Sequence, residues 1–277
     1  MRFGFAFNPT SPQARLTLER AEAWCRAHGV EIWSSEANDR DRIAAACPGT
    51  DLVCVMGGDG TFLHAARGIG DSAAPTLGVN LGRVGFLAKV EPDDLEEALA
   101  KVASGDFLLE DRFRIAATLL RANGEREEHA CLNEVAVVRG NRVRMIQVEV
   151  EVSGSHLATW VADGVVVATP TGSTAYSFSA GGSVLDPRLR NMIITPVAAY
   201  LSPLRSVVAG EDHLVRLTLR QASPGATISI DGQWDLPMAV GETVEVRALP
   251  VPLRMVELSG STPFYDLLRT KASLLPY

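Results

Sequence analysis

The chain has 277 residues and a formal net charge of −7. This length fits one large domain or two smaller ones, and the acidic balance argues against nucleic-acid binding through backbone phosphates. The cysteines (Cys25, Cys47, Cys54 and Cys131) lie in apolar surroundings without metal-ligand spacing, so we expect buried thiols and no zinc site. With no secretory leader and no apolar run that could span a bilayer, we expect a cytoplasmic protein.

Strand and helix patterns alternate through the first hundred residues. The predicted elements, in chain order, are a strand at 2–8, a helix from Ser11-Pro12 to Gly29, a strand at 30–33, a helix at 41–47, strands at 52–55 and 76–79, and a helix at 92–103. Such alternation predicts a doubly wound parallel sheet with helices on both faces. In sheets of this kind, ligands bind beyond the carboxyl ends of the strands.

A glycine-rich loop follows the apolar run at 52–55 and precedes a helix. Its residues Gly57, Gly58, Gly60 and Thr61 predict a loop that cradles phosphate, because small residues let backbone amides approach an anion at a helix start. Asp59 is unexpected there, since a carboxylate repels phosphate. It could hold a divalent metal, accept a proton from an attacking hydroxyl, or cap the helix. A second glycine-marked turn, at 80–87, is interpreted as a tight turn rather than a ligand contact.

The pattern changes at about residue 109, where short stretches alternate apolar and polar residues. Examples are 145–152, 215–220, 228–230 and 244–246, and they predict an antiparallel β domain of the sandwich type with one wet face. We therefore divide the chain into an α/β domain at 1–105, a β domain at 106–260 and a terminal segment at 261–277, which contains a helix at 264–271.

Hydroxyl groups are dense between Thr169 and Gly182, where seven of fourteen residues are Ser, Thr or Tyr. They could bind ribose, amide or phosphate groups, and Tyr176 offers a flat face to a nicotinamide or purine ring. A capped helix start would explain the run without any ligand.

Three shorter motifs also carry polar groups. The pair Asn133-Glu134 enters a strand, and its side chains suit an adenine edge and ribose hydroxyls. Asp163-Gly164 and the triplet at 231–233 have the composition of turns.

In this order and spacing, the motifs resemble those of bacterial NAD kinases. The resemblance covers most of the chain and is most specific in the run from Thr169 to Gly182. It implies ATP-dependent phosphorylation of the 2′-hydroxyl on the adenosine ribose of NAD, with Mg²⁺ or a similar divalent ion accompanying ATP and no metal held by the protein alone. It also implies a homodimer or homotetramer in which neighbouring subunits complete the NAD site, and a terminal segment that returns to the first domain.

The resemblance assigns roles to individual residues. Asp59 matches the proton acceptor that activates the 2′-hydroxyl. The residues that match NAD contacts are Asp59, Gly60, His64, Asn133, Glu134, Arg144, Asp163, Thr171, Thr174, Ala175, Tyr176, Ser177, Phe178, Ser179 and Gln233. The chain departs from the family at Val161, where many members have a basic residue, and at 197–200.

Two alternatives remain open from the sequence. Lipid kinases and other small-alcohol kinases share the glycine loop, but that function leaves the hydroxyl-rich run unexplained. A non-catalytic NAD sensor would gain nothing from a carboxylate beside phosphates.

Overall fold

The computed structural model describes residues 1–82, 85–140, 144–223 and 225–273. The chain forms two compact units, one of Met1–Asp111 together with the chain from Pro252 onward, the other of Arg112–Val251. None of the helices within the described ranges is long and apolar enough to cross a membrane.

The elements are as follows, in chain order. The first stretch contains β1 (Arg2–Phe7), α1 (Pro12–Ala27), β2 (Glu31–Glu36), α2 (Arg40–Ala46), β3 (Leu52–Gly57), α3 (Asp59–Ile69), β4 (Thr76–Asn80), α4 (Leu95–Ser104) and β5 (Phe107–Arg112). The middle stretch contains β6 (Ile115–Leu120), β7 (Arg126–Cys131), β8 (Glu134–Arg139), β9 (Ile146–Val152), β10 (Ser155–Ala162), β11 (Gly164–Ala168), α5 (Tyr176–Ser179), β12 (Asn191–Val197), β13 (Val207–Gly210), β14 (Val215–Gln221), β15 (Ala226–Ile230), β16 (Trp234–Met238) and β17 (Thr243–Ala248). The chain closes with β18 (Leu253–Leu258) and α6 (Phe264–Ser273).

The first unit is built on one six-stranded sheet in the order β2-β1-β3-β4-β18-β5. The pairs β1/β2, β1/β3, β3/β4 and β4/β18 are parallel. Alternate residues of the strands, including Phe5 and Met56, pack with Cys25 of α1 and Leu99 of α4 in one buried cluster. The side chain of Ile43 in α2 lies against Gly68 of α3. The predicted doubly wound α/β fold is confirmed.

The glycine loop lies where the strand order reverses. From β1 the chain crosses to β2 on one side, and from β3 it crosses to β4 on the other. The carboxyl ends of β1 and β3 are joined there by a hydrogen bond from the Asn8 amide to the Met56 carbonyl (3.1 Å). Such a reversal opens a crevice beyond the strand ends, and the loop after β3 lies beside it.

The second unit contains two six-stranded sheets. Their strand orders are β10-β9-β14-β17-β6-β7 and β13-β12-β11-β8-β15-β16, and the strand pairs with described registers are antiparallel. Val148 and Leu217 of the first sheet share a buried cluster with Val137 and Val167 of the second. This is the sandwich expected from the alternating strands.

The sheet of the first unit includes two strands, β5 and β18, that the sequence division placed in the β domain. The partner of β18 is β4, through Met255 and Thr76. That pairing joins residues far apart in the chain, so no local pattern indicates it. The helix α6 belongs to the first unit as well.

Candidate functional site

Asp59 is the first residue of α3, and Gly58 occupies the N-cap position with no side-chain capping bond. The N-cap interpretation of Asp59 is therefore wrong, and its carboxylate is directed to other partners. Gly57 is required at its position because a Cβ there would lie 2.4 Å from Thr61 Oγ1. The loop thus turns tightly from β3 into α3, as the glycine spacing predicted.

Three successive backbone amides hold the Asp59 carboxylate. Oδ2 accepts from the Phe86 amide (2.8 Å), and Oδ1 accepts from the amides of Leu87 (3.0 Å) and Ala88 (3.4 Å). Gly85 makes this approach possible, because a Cβ at that position would lie 2.1 Å from Asp59 Oδ1. The arrangement fixes a half-buried carboxylate at the carboxyl end of β3.

The segment that supplies these amides belongs to the second glycine-marked turn. Its first part is a tight turn, since Asn80 Oδ1 accepts from the Gly82 amide (3.2 Å) and the Leu81 amide donates to the Gly57 carbonyl (3.3 Å). Its second part, from Gly85 to Ala88, holds the Asp59 carboxylate, a contact that the sequence interpretation missed. Gly85 was the sequence signal for this contact. The need for glycine there comes from Asp59, a residue of another loop, so the local sequence does not explain it.

Two more predicted site residues lie on α3 beside Asp59. Gly60 and His64 are both exposed. Partial burial and the nearby charge of Arg67 lower the pKa of the His64 ring, which favours the neutral imidazole at physiological pH. Ligand contact by either residue stays a prediction.

In the second unit, the hydroxyl-rich run packs against the Asn133-Glu134 pair. The Thr169 amide donates to the Asn133 carbonyl (2.8 Å), and Thr169 Oγ1 donates to the Leu132 carbonyl (2.6 Å). A Cβ at Gly172 would lie 2.1 Å from the Asn133 carbonyl oxygen, so only glycine permits this approach. The two motifs, distant in sequence, form one surface.

Three buried polar atoms on this surface have no hydrogen-bond partner in the described parts of the chain. They are Asn133 Oδ1, Glu134 Oε2 and Thr171 Oγ1. Buried polar atoms in folded proteins are nearly always hydrogen-bonded, so these three atoms are candidates for hydrogen bonds to a bound molecule. All three atoms can accept, and they suit a ligand rich in hydroxyl and amino donors.

Glu134 lies in an unusual electrostatic environment. Its side chain is buried (5% exposed), as is that of Asp231 (5% exposed). Burial, reinforced by the negative charge of Asp231, raises the pKa of Glu134 to about 8, although the Tyr176 amide donates to the carboxylate and opposes the shift. At neutral pH the carboxyl group is therefore largely protonated when no ligand is bound.

Several hydroxyls of the run hold the segment itself. Ser173 Oγ donates to the Pro170 carbonyl (2.6 Å), and Thr174 Oγ1 donates to the Thr171 carbonyl (3.1 Å). Ser177 is fully buried and shares a hydrogen bond with Thr195 Oγ1 (3.0 Å).

The remaining members of the run are more accessible. Tyr176 and Phe178 are 38% and 47% exposed, Ala175 is half-buried and Ser179 is exposed. These residues are thus accessible at the surface. Contact by Thr171, Thr174, Ala175, Tyr176, Ser177, Phe178 and Ser179 stays a prediction.

The predicted contacts outside the run have different surroundings. Asp163 Oδ1 accepts from Arg139 Nε (2.8 Å), and burial followed by the Asp163 charge raises the pKa of Tyr176. Arg144 is exposed, and Gln233 is half-buried two residues after Asp231.

The comparisons with known proteins agree along nearly the whole chain. The ATP-NAD kinase N-terminal domain matches residues 2–107, and the ATP-NAD kinase C-terminal domain matches residues 132–258. An NAD kinase of Heliobacterium modesticaldum is 37% identical, covering 97% of each chain. An NAD kinase of Symbiobacterium thermophilum is 41% identical, covering 98% of this chain and 99% of the relative.

Two solved structures share the fold. An NAD kinase from Archaeoglobus fulgidus in complex with ATP superimposes with a TM-score of 0.80 at 25% identity, covering 100% of both chains. Yeast NADH kinase complexed with NADH superimposes with a TM-score of 0.84 at 22% identity, covering 99% of this chain and 87% of the yeast chain. The resemblance inferred from the motifs is confirmed, and the chain belongs to the ATP-NAD kinase family.

Proposed function

We propose that this protein is an ATP-dependent NAD kinase, which transfers the γ-phosphoryl group of ATP to the 2′-hydroxyl on the adenosine ribose of NAD. The products are NADP and ADP. The observation that carries the proposal is the Asp59 carboxylate, held by three backbone amides at the carboxyl end of β3 and next to a glycine loop. The NAD kinases to which the chain is similar support the choice of substrates.

In this proposal, Asp59 accepts the proton of the 2′-hydroxyl as its oxygen attacks the γ-phosphorus in line. A carboxylate has about four acceptor sites on its two oxygens, so three amides leave room for the substrate hydroxyl. Because the amides fix the carboxylate before the substrate arrives, little reorganisation is needed at the moment of reaction. Gly57, Gly58, Gly60 and Thr61 are the proposed phosphate loop, where the amides at the start of α3 face an anion.

NAD is proposed to bind where the buried acceptors of the second unit lack partners. Asn133 Oδ1 and Glu134 Oε2 would accept hydrogen bonds from its amino and hydroxyl donors, and Thr171 Oγ1 would add a third contact. The exposed rings of Tyr176 and Phe178 offer stacking faces. The further proposed NAD contacts are Gly60, His64, Arg144, Asp163, Thr174, Ala175, Ser177, Ser179 and Gln233.

The divalent cation is proposed to enter with ATP, as MgATP. The described residues contain no group of three or more His, Cys, Asp or Glu side chains that could hold a metal ion. We propose that the cation is bound mainly through the substrate phosphates, as is common for Mg²⁺. Its charge would offset the negative charge that builds up on the transferred group.

We also propose a homodimer or homotetramer in the cytoplasm. Large apolar side chains exposed on the second unit, Tyr200 (63%), Leu201 (82%) and Val208 (49%), support contact with another copy. The buried thiols of Cys25, Cys47, Cys54 and Cys131 support a reducing compartment.

The test is NADP formation by the purified full chain with NAD, ATP and Mg²⁺, followed with an NADP-specific dehydrogenase cycle. We expect turnover that requires all three components, and parallel reactions with NADH or polyphosphate define the acceptor and donor. If no NADP forms, titration calorimetry with NAD separates the alternatives. NAD binding without turnover would favour a sensor, and no binding would favour a lipid or small-alcohol kinase.

A further inference from the structure

Asp231 is a buried carboxylate that the proposed chemistry does not use. It lies between β15 and β16, and its side chain is directed at the residues that lead into β8. Oδ1 accepts from the amides of Asn133 (2.8 Å) and Glu134 (3.0 Å), and Oδ2 accepts from the amide of Leu132 (3.0 Å). The Asp231 amide returns a hydrogen bond to the Glu134 carbonyl (2.8 Å). Both oxygens and the backbone of this residue are thus engaged with one three-residue segment.

The turn alone does not call for a carboxylate. Asp231 has a φ of +50°, a conformation that glycine or asparagine adopts at least as readily. A buried charge is costly unless several donors satisfy it, and here three successive amides do so. An anionic acceptor with two oxygens is what three converging amides require, and neither glycine nor asparagine supplies one.

The segment held in this way carries the unsatisfied acceptors of the second unit. Asn133 Oδ1 and Glu134 Oε2 are buried and have no partner within the described ranges. Their positions depend on the backbone at 132–134, which Asp231 contacts from one side and Thr169 contacts from the other. Any displacement of this backbone would therefore move both acceptors together.

We propose that Asp231 is a positioning residue for NAD: it fixes the backbone of Leu132, Asn133 and Glu134, and so sets the affinity for the dinucleotide without touching it. The proposal rests on the proposed function, in which Asn133 and Glu134 bind NAD. Asp231 also places a negative charge beside Glu134, which gives it a second influence on the same site.

That second influence has a consequence for pH dependence. Among the described residues, the groups that influence the Glu134 carboxyl group are Asp231, from the turn before β16, and Tyr176 of α5, whose amide donates to the Glu134 carboxylate. Tyr176 is in turn influenced by Asp163 and Arg139. NAD that donates hydrogen bonds to Glu134 favours the ionised carboxylate, so its affinity rises as pH increases through the Glu134 titration. Removing the Asp231 charge shifts this rise to lower pH.

The experiment measures NAD affinity and kinetics for Asp231→Asn in the full chain. We expect the dissociation constant and KM for NAD to rise about tenfold, since an amide NH₂ faces backbone donors where an oxygen stood. We expect kcat and KM for ATP to stay within about twofold, and the pH at which NAD affinity rises to fall. Asp235→Asn is the matched control, because Asp235 is an exposed carboxylate on the same hairpin.

Unchanged NAD affinity and pH profile in folded Asp231→Asn would overturn the proposal, as would a loss confined to kcat. If Asp231→Asn does not fold, Asp231→Glu decides. It keeps the charge but displaces the oxygens by one methylene, and we expect it to raise the NAD dissociation constant severalfold. A value equal to that of the wild type would contradict positioning by Asp231. Equilibrium binding requires no turnover, so a wild type that binds NAD but makes no NADP would refute the kinase and leave this proposal testable.

Discussion

In each of the two units of this protein, three successive backbone amides donate hydrogen bonds to one carboxylate. In the first, three successive amides at 86–88 hold Asp59. In the second, three successive amides at 132–134 hold Asp231. The difference is exposure, because Asp59 is half-buried beside a glycine loop, whereas Asp231 is 5% exposed and lies against Glu134.

We call each of these groups of three amides an amide cradle, the first at 86–88 around Asp59 and the second at 132–134 around Asp231. The comparison shows that such a cradle does not by itself define a function. Asp59 is accessible at the carboxyl end of a parallel strand, where substrates of such folds bind, so its fixed carboxylate can take part in chemistry. Asp231 is enclosed, so it can act only through the backbone it holds and the charge it presents. Breaking each cradle should therefore have different kinetic consequences.

The largest expected effect comes from Asp59→Asn. The variant keeps the size of the side chain but loses the proton acceptor, so we expect kcat to fall by about 10³–10⁴-fold. The NAD dissociation constant should stay within about threefold, since the acceptors of the second unit are untouched. Steady-state rates and calorimetry on the same preparation measure both. Asp41→Asn, at an exposed carboxylate of α2, is the control.

The next effect concerns the titration of Glu134, which burial and the neighbouring charge of Asp231 shift. Because the folded-state pKa is about 8, against an ordinary value of 4.5, the stabilising contribution of Glu134 is complete below about pH 4.5. It is lost as pH rises through about 8. Glu134→Gln removes this pH dependence. Its free energy of unfolding, relative to that of the wild type, should therefore rise by on the order of 3–5 kcal/mol between pH 5 and pH 9.

Urea unfolding of both proteins at pH 5 and pH 9 measures this gain. If the stability difference between the two proteins is the same at both pH values, Glu134 does not titrate in the way its burial and the Asp231 charge require.

Gly85→Ala should have a smaller effect that remains specific to the first cradle. The new Cβ would lie 2.1 Å from Asp59 Oδ1, so the carboxylate has to move. We expect kcat to fall by about 10–100-fold with an unchanged NAD dissociation constant. Gly82→Ala is a matched control in the same turn, because a Cβ at Gly82 meets no atom of the described residues within 4 Å. Equal losses in the two variants would show that Gly85 has no special relation to Asp59.

The smallest expected effect comes from side chains that pack against Phe86. The ring centroids of Phe264, in α6, and Phe86 are 5.8 Å apart, and Lys271 Nζ lies 4.2 Å from the centroid of the Phe86 ring. Phe264→Ala removes one support of the segment that donates to Asp59, and we expect kcat to fall about two- to threefold. Arg269→Ala, at an exposed position of α6, should leave the rate unchanged. If kcat falls as much in Arg269→Ala as in Phe264→Ala, the effect comes from a general disturbance of α6 and not from the contact with Phe86.

Much of the fold followed from local patterns in the sequence. Ser11 caps α1 by accepting from the Ala14 amide (3.2 Å), as the Ser-Pro start predicted. The glycine loop joins β3 to α3, as its place between the apolar run at 52–55 and a helix predicted. These features depend on residues close together in the chain, where periodicity and capping rules apply.

The cradles could not be predicted in the same way. Asp59 accepts hydrogen bonds from amides of a later loop, and Asp231 accepts them from amides of residues that precede it by 97 to 99 positions. Only the tertiary fold brings these groups together. Asp231-Gly232-Gln233 therefore had the composition of an ordinary turn. The burial that raises the pKa of Glu134 could not be predicted from the local sequence either.

The most direct test is a double-mutant cycle on Asp59→Asn and Asp231→Asn, with kcat and the equilibrium NAD dissociation constant measured for all four proteins. We predict that kcat falls only when Asp59 is changed and that NAD affinity falls only when Asp231 is changed. The two free-energy changes should add in kcat/KM for NAD within about 0.5 kcal/mol. If either single variant loses both kcat and NAD affinity to the same extent, the two cradles do not have the separate roles assigned to them.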